Sequence, residues 1–228
     1  MAYKNIIVTG TSSGIGYEMA KQLAKAGHNV LAISRNTEPL TKLNIKKINC
    51  LSVDITEEVH LTKIKNFIKQ HWKKVDILIN SAGLLINKPF FKTHTEDFEA
   101  VYKVNVFAPA RLIRICMPYL KSGSHVVNIS SMGGLRGILK FPGLTAYSSS
   151  KGALITLTEV LAEEYKDTQI SFNVLALGAV QTEMLSQAFP KYKAPMTSKD
   201  MAAYIVNFAL TGQKYFNGKV IEVARTTP

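Results

Sequence analysis

The chain has 228 residues, of which 46% are hydrophobic and 19% charged, a balance that excludes disorder, collagen and coiled coil and fits one domain spanning 1–228. Lys and Arg number 28 against 16 Asp and Glu, a net charge of +12, but the surplus is spread along the chain without a nucleic-acid-binding signature and reads as a solvated basic surface. No apolar run approaches the ~20 residues of a membrane span; MAYKNIIVTG lacks the order of a secretory signal; and Cys50 and Cys116 are too few for a disulfide framework and lack metal-ligand spacing.

Short apolar strands alternate with longer amphipathic helices. Strands are expected at Lys4–Thr9, Asn29–Ser34, Lys47–Val53, Val75–Asn80, His125–Ser130, Gln169–Leu175 and Lys219–Val223. Helices are expected at Ile15–Ala26, stopped by Gly27; from a Thr56 cap to Trp72; and over Thr95–Leu120, Tyr147–Tyr165 and Ser198–Leu210. Strands with almost no polar alternation lie in a parallel sheet covered on both faces. Right-handed crossovers make it a doubly wound α/β sheet, whose ligands bind beyond the carboxyl ends of the strands.

The first of those ends carries Thr9-Gly10-Thr11-Ser12-Ser13-Gly14-Ile15-Gly16. Gly10 permits a tight turn, Gly14 a close approach of backbone to a phosphate, and Gly16 close packing of helix on sheet. The helix N-terminus offers N–H groups and a partial positive charge to a pyrophosphate, with Ser12 and Ser13 as further donors. The second strand ends in Ser34-Arg35, with no acid before Glu38. A carboxylate there would bind ribose hydroxyls and repel a 2′-phosphate, whereas a guanidinium suits that phosphate; Arg35 points to NADP(H) over NAD(H).

Tyr147 and Lys151, four apart at the start of a helix, share a face one turn apart. A phenol is too weak an acid to serve as a base at neutral pH unless a neighbouring ammonium stabilises its phenolate. Ser131, in Asn128-Ile129-Ser130-Ser131 past the fifth strand, can hydrogen-bond a substrate carbonyl, with Ser130 the alternative. Pro109 follows Asn105 by four residues and has no N–H for its carbonyl, so a local kink is expected.

Together these motifs resemble the short-chain dehydrogenase/reductase family from Thr9 to about Val223. The resemblance implies a Rossmann fold and NAD(P)-dependent hydride transfer to or from a carbonyl. Ser131 then orients the carbonyl, Tyr147 is the acid or base, Lys151 lowers the Tyr pKa and binds ribose, and Asn105 holds a proton-relaying water. It also implies that Asp54 and Ile55 contact adenine, that the cofactor-binding Asn80–Gly83 motif lets backbone at Ala82 and Gly83 lie near the ribose while the Asn80 side chain holds the central strand, and that Gly178, Val180 and Thr182 hold the carboxamide. Three departures stand out: Ser81 for the usual Asn, Leu177 for the usual Pro, and a gap of 16 residues between Ser131 and Tyr147. That gap exceeds the family spacing, with the extra residues around Ile138–Lys140, and Leu177 implies a looser turn.

Leu84, Leu85, Met132, Leu139, Phe141, Leu144, Met184 and Phe189 are the expected walls of an apolar substrate pocket. A basic surface suits an acidic acyl carrier, so 3-oxoacyl reduction is one option. A cytoplasmic homodimer or homotetramer is expected, with reduced core thiols, no metal and no nucleic-acid or membrane partner. The competing readings are a cofactor-binding regulator without turnover and dehydration or epimerisation on the same frame.

Overall fold

The computed structural model describes residues 3–225. In chain order it runs β1 (Asn5–Thr9), α1 (Gly14–Lys25), β2 (Asn29–Ser34), α2 (Glu38–Thr41), β3 (Ile48–Ser52), α3 (Glu58–Phe67), β4 (Val75–Asn80), α4 (Thr95–Tyr102) and α5 (Ala108–Cys116). It continues through β5 (Leu120–Ser131), α6 (Thr145–Glu164), β6 (Ser171–Leu177), β7 (Val180–Gln181), α7 (Glu183–Ala188), β8 (Met196–Thr197), α8 (Ser198–Thr211) and β9 (Val220–Val223). Seven parallel strands form one sheet in the order β3-β2-β1-β4-β5-β6-β9.

The two-residue period of the strands divides their side chains between two cores. Ile6 and Val8 pack with α1 and α8 through Met19, Leu23, Ile205 and Phe208. Ile7 and Leu31 pack on the other face with α3, α5 and α6 through Ile64, Leu112 and Ala162. Each buried aliphatic contributes ~2 kcal/mol to that sandwich. Strand order reverses between β1 and β4, so a crevice opens at their carboxyl ends.

Local details depart from expectation for identifiable reasons. The Thr95–Leu120 helix is divided: α4 passes through a π-helical turn, Lys103–Phe107, into α5. Pro109 cannot donate to Asn105, and the ladder widens so that the Ala108 N–H reaches the Lys103 carbonyl. β5 begins early, at Leu120, because Leu120 pairs with Val75 across a register shift and Gly123, at φ +81°, bonds Gln169 O. Thr56 does not cap α3. Its N–H and hydroxyl both donate to Asp54 Oδ1, at 2.9 and 2.8 Å, and Glu57 occupies the cap position. Cys116 is buried, but Cys50 on edge strand β3 is only half-buried, and both are free thiols. Among the described residues no helix is long and apolar enough to cross a membrane.

Candidate active site

The glycine turn is held against β4 by backbone contact. Gly10 has φ +74°, and a Cβ there would lie 2.8 Å from Ala82 Cα; one on Gly16 would lie 2.2 Å from Gly10 O. Thr9 Oγ1 accepts from the N–H groups of Ser81 and Ala82, both at 3.0 Å, and ties the β1 and β4 loops together. Ser13 precedes α1 in extended backbone without a side-chain cap bond, and Gly10, Ser12, Ser13, Gly14, Ile15 and Gly16 all line one cleft of about 800 Å³.

At the far end of that cleft Ser34 Oγ donates to Asn36 O at 2.7 Å, so its hydroxyl serves its own loop. Arg35 is exposed on the wall beside Asp54 and Ile55. Burial pushes the Asp54 carboxyl upward, but hydrogen bonds from Thr56 and the charges of Arg35 and His60 outweigh it and hold the pKa below the ordinary value. The nearest following acid, Glu38, pairs with Lys42 at 2.6 Å.

At the end of β5 the pleat separates the two serines. Ser130 Oγ donates to Lys151 O at 2.9 Å inside the protein. Ser131 lines the cleft, where its Oγ accepts from Gly133 N–H at 3.2 Å and its hydroxyl lowers the pKa of the neighbouring Tyr147 phenol. Tyr147 and Lys151 stand on the first turns of α6. Lys151 is only 4% exposed; its Nζ donates to Ile129 O at 2.8 Å and lies 5.7 Å from the centre of the Tyr147 ring.

Desolvation lowers the Lys151 pKa to about 8. The expected acidified phenol is not found. Desolvation raises Tyr147 above its ordinary value and the Ser131 hydrogen bond offsets that only in part. The physical reason is direction: the ammonium is aimed at the Ile129 carbonyl rather than at the phenol oxygen.

Asn105 lies behind the wall, fully buried in the π-helical turn. Its Oδ1 accepts from Leu84 N–H at 2.8 Å, and its Nδ2 donates to Leu84 O and Ser150 Oγ, both at 2.9 Å. Ser150 Oγ in turn donates to Tyr147 O at 2.7 Å. Asn80 is also off the wall; its Nδ2 donates to Asn128 Oδ1 at 2.7 Å and joins β4 to β5. Ala82, Gly83, Gly178, Val180 and Thr182 line the cleft. Leu177 does not loosen its turn: it stays in the ladder, opposite Val223 and Ser131.

Leu84, Leu85, Met132, Phe141, Leu144, Met184 and Phe189 line the same cleft. Leu139 does not; it is 65% exposed on the outside of the extended loop. Sequence reading gave no role to Thr9, Ser150 or the wall residue Tyr192. Only Thr9 carried a signal, as the residue before Gly10.

Residues 4–193 match the family model described as short chain dehydrogenase. An uncharacterized oxidoreductase of Bacillus subtilis (strain 168) is 31% identical over 217 residues, covering 91% of this chain and 83% of its own. Among solved structures, ElxO with NADP bound superposes with a TM-score of 0.85 at 27% identity, over 97% of both chains. A 4-hydroxyisoleucine dehydrogenase mutant complexed with NADH and succinate superposes with a TM-score of 0.85 at 24% identity, over 96% of both.

Proposed function

We propose that this chain, an oxidoreductase that belongs to the short chain dehydrogenase family, uses NADPH to reduce a carbonyl on a mostly apolar small molecule, or runs the reverse oxidation with NADP. The observation that carries the reading is that Ser131, Tyr147 and Lys151 stand together on the wall of the cleft that the Gly10–Gly16 turn also lines. The turn fits a dinucleotide: at Gly10 and Gly16 a Cβ would collide with backbone, and α1 begins without a side-chain cap bond, so its first N–H groups suit a pyrophosphate. Arg35 supplies the guanidinium for a 2′-phosphate, and relatives that hold NADP in one case and NADH in another leave that choice to this residue.

When bound, the nicotinamide supplies or accepts the hydride. Ser131 donates a hydrogen bond to the substrate oxygen and stabilises charge developing there. Tyr147 passes its phenolic proton to that oxygen; its raised pKa keeps the proton in place at neutral pH, which suits reduction. Lys151, still protonated at neutral pH with a pKa of about 8, binds ribose hydroxyls and offsets the phenolate left behind. Asn105 secures Leu84 on one side and, through Ser150, the start of α6 on the other. Its main-chain carbonyl, opposite Pro109, is suited to hold the water that returns a proton through Lys151. The apolar walls suit aliphatic or aromatic ketones and aldehydes, a 3-oxoacyl thioester among them. Self-association through α4–α5 and α6 belongs to the same reading; Phe107 and Val160 are exposed there.

The test is a panel of ketones, aldehydes and a short 3-oxoacyl thioester with NADPH and NADH, followed at the nicotinamide absorbance band. Turnover with NADPH exceeding that with NADH is expected. A folded protein that binds neither dinucleotide would overturn the reading.

A further inference from the structure

The extended stretch between Ser131 and Tyr147 folds back on itself through Lys140. Lys140 Nζ donates to Gly133 O at 2.9 Å and also to Leu135 O. Gly133 is thereby held at both of its polar atoms, because its N–H donates to Ser131 Oγ at 3.2 Å. The inner side of this turn has no slack. A Cβ on Gly133 would lie 3.0 Å from Ser148 Oγ, and one on Gly134 would lie 2.7 Å from the carbonyl carbon of Lys151. The turn is pressed on α6 from one side and tethered by an ammonium from the other. Among the described residues Lys140 takes part in no ion pair, so its hydrogen bonds go to these carbonyls.

We propose that Lys140 is a positioning residue for Ser131. By fixing the Met132–Gly134 turn it keeps the Gly133 N–H on one lone pair of Ser131 Oγ, and so keeps the serine hydroxyl directed into the cleft that Tyr147 also lines. A serine hydroxyl is a free rotor with one proton and two lone pairs, and occupying one lone pair restricts where the proton points. Ser131 matters most when charge develops on the substrate oxygen, so a loosened turn lowers kcat more than it raises KM. The kinetic consequence rests on the functional reading above; the tether itself does not.

The test compares Lys140→Met, which keeps the length of the side chain and removes its donors, with Lys140→Arg, which keeps charge and donors. In ligand-free crystal structures the Gly133 N–H to Ser131 Oγ hydrogen bond is expected in the parent and K140R and absent in K140M. With NADPH and the best carbonyl of the panel, kcat is expected to fall between about 10- and 100-fold in K140M. KM and the NADPH dissociation constant should stay within about twofold, and K140R should recover most of the rate. An intact Gly133 N–H to Ser131 Oγ hydrogen bond in K140M, or a kcat within twofold of the parent, would overturn the proposal. Should K140M fail to fold, Lys140→Leu, which also lacks donors, takes its place in the same comparison. If the parent reduces no carbonyl, the functional reading fails while the crystallographic arm still decides the tether.

Discussion

The two ends of β5 bury polar side chains by opposite rules. At the amino end every group is matched. Ser124 Oγ donates to Val75 O and accepts from Lys121 N–H, both at 2.9 Å. His125 Nδ1 meets Ala209 O at 3.0 Å and its Nε2 meets Asn173 Nδ2 at 3.0 Å. A carbonyl only accepts and an amide NH₂ only donates, so the ring is neutral with its proton on Nδ1. At the carboxyl end the buried groups keep spare capacity. Lys151 carries three donors and spends one on Ile129 O, and the Tyr147 phenol beside it is half-buried on the cleft wall. Matched burial holds the sheet; mismatched burial keeps groups ready for a ligand and destabilises the ligand-free protein.

The largest expected effect lies at the mismatched end. Tyr147→Phe removes the transferable proton, so turnover should fall about 10³-fold while NADPH binding stays near the parent value. Comparable turnover in that variant would remove the asymmetry between the two ends.

Lys151→Met should lower turnover about 10²-fold and yet raise the unfolding temperature. The ammonium titrates at about 8 in the fold against 10.5 when exposed. The unfolded chain therefore binds more protons between those values, and stability of the parent rises with pH across that window. Below it the burial costs about 3 kcal/mol, which the Met variant recovers in part. A Met variant less stable than the parent at pH 7 would mean that Lys151 is matched after all.

His125 tests the other end. Its pKa is about 4 in the fold against 6.5 when exposed, so its contribution is complete above 6.5 and is lost as pH falls toward 4. Urea unfolding should show up to about 3 kcal/mol of that loss, absent from His125→Leu. Kinetics of the leucine variant at neutral pH should match the parent, provided it folds.

The smallest effect concerns Arg35. Arg35→Ser should weaken NADPH binding about 10-fold and leave NADH nearly unchanged, because the guanidinium meets only the extra phosphate. Equal weakening of both would place Arg35 at the adenine ring instead.

Much of the frame was legible because it follows from local rules. Unbroken apolar runs such as NIIVT and VDILIN announce strands buried on both faces, and a glycine turn between strand and helix announces its phosphate-binding geometry. Tyr147 and Lys151 share a face because a helix has one pitch. These signals extend over a few residues, so the order of elements, the sheet and many of the residues that line the cleft could be read from the chain.

What the tertiary structure decided involves partners far apart in sequence. Both Ser130 and Ser131 border the cleft, but the Ser130 hydroxyl is spent on Lys151 O, a partner 21 residues away that only the packing of α6 on β5 supplies. Thr9 became the tie between two loops, and Asn105 the clamp on Leu84 and Ser150, only when β1, β4 and α6 were packed together. That the Lys140 ammonium lands on the Gly133 carbonyl follows from the fold of its loop and not from any local pattern. The phenol of Tyr147 rose instead of falling because desolvation and the aim of a neighbouring charge are properties of enclosed space, which no one-dimensional pattern records.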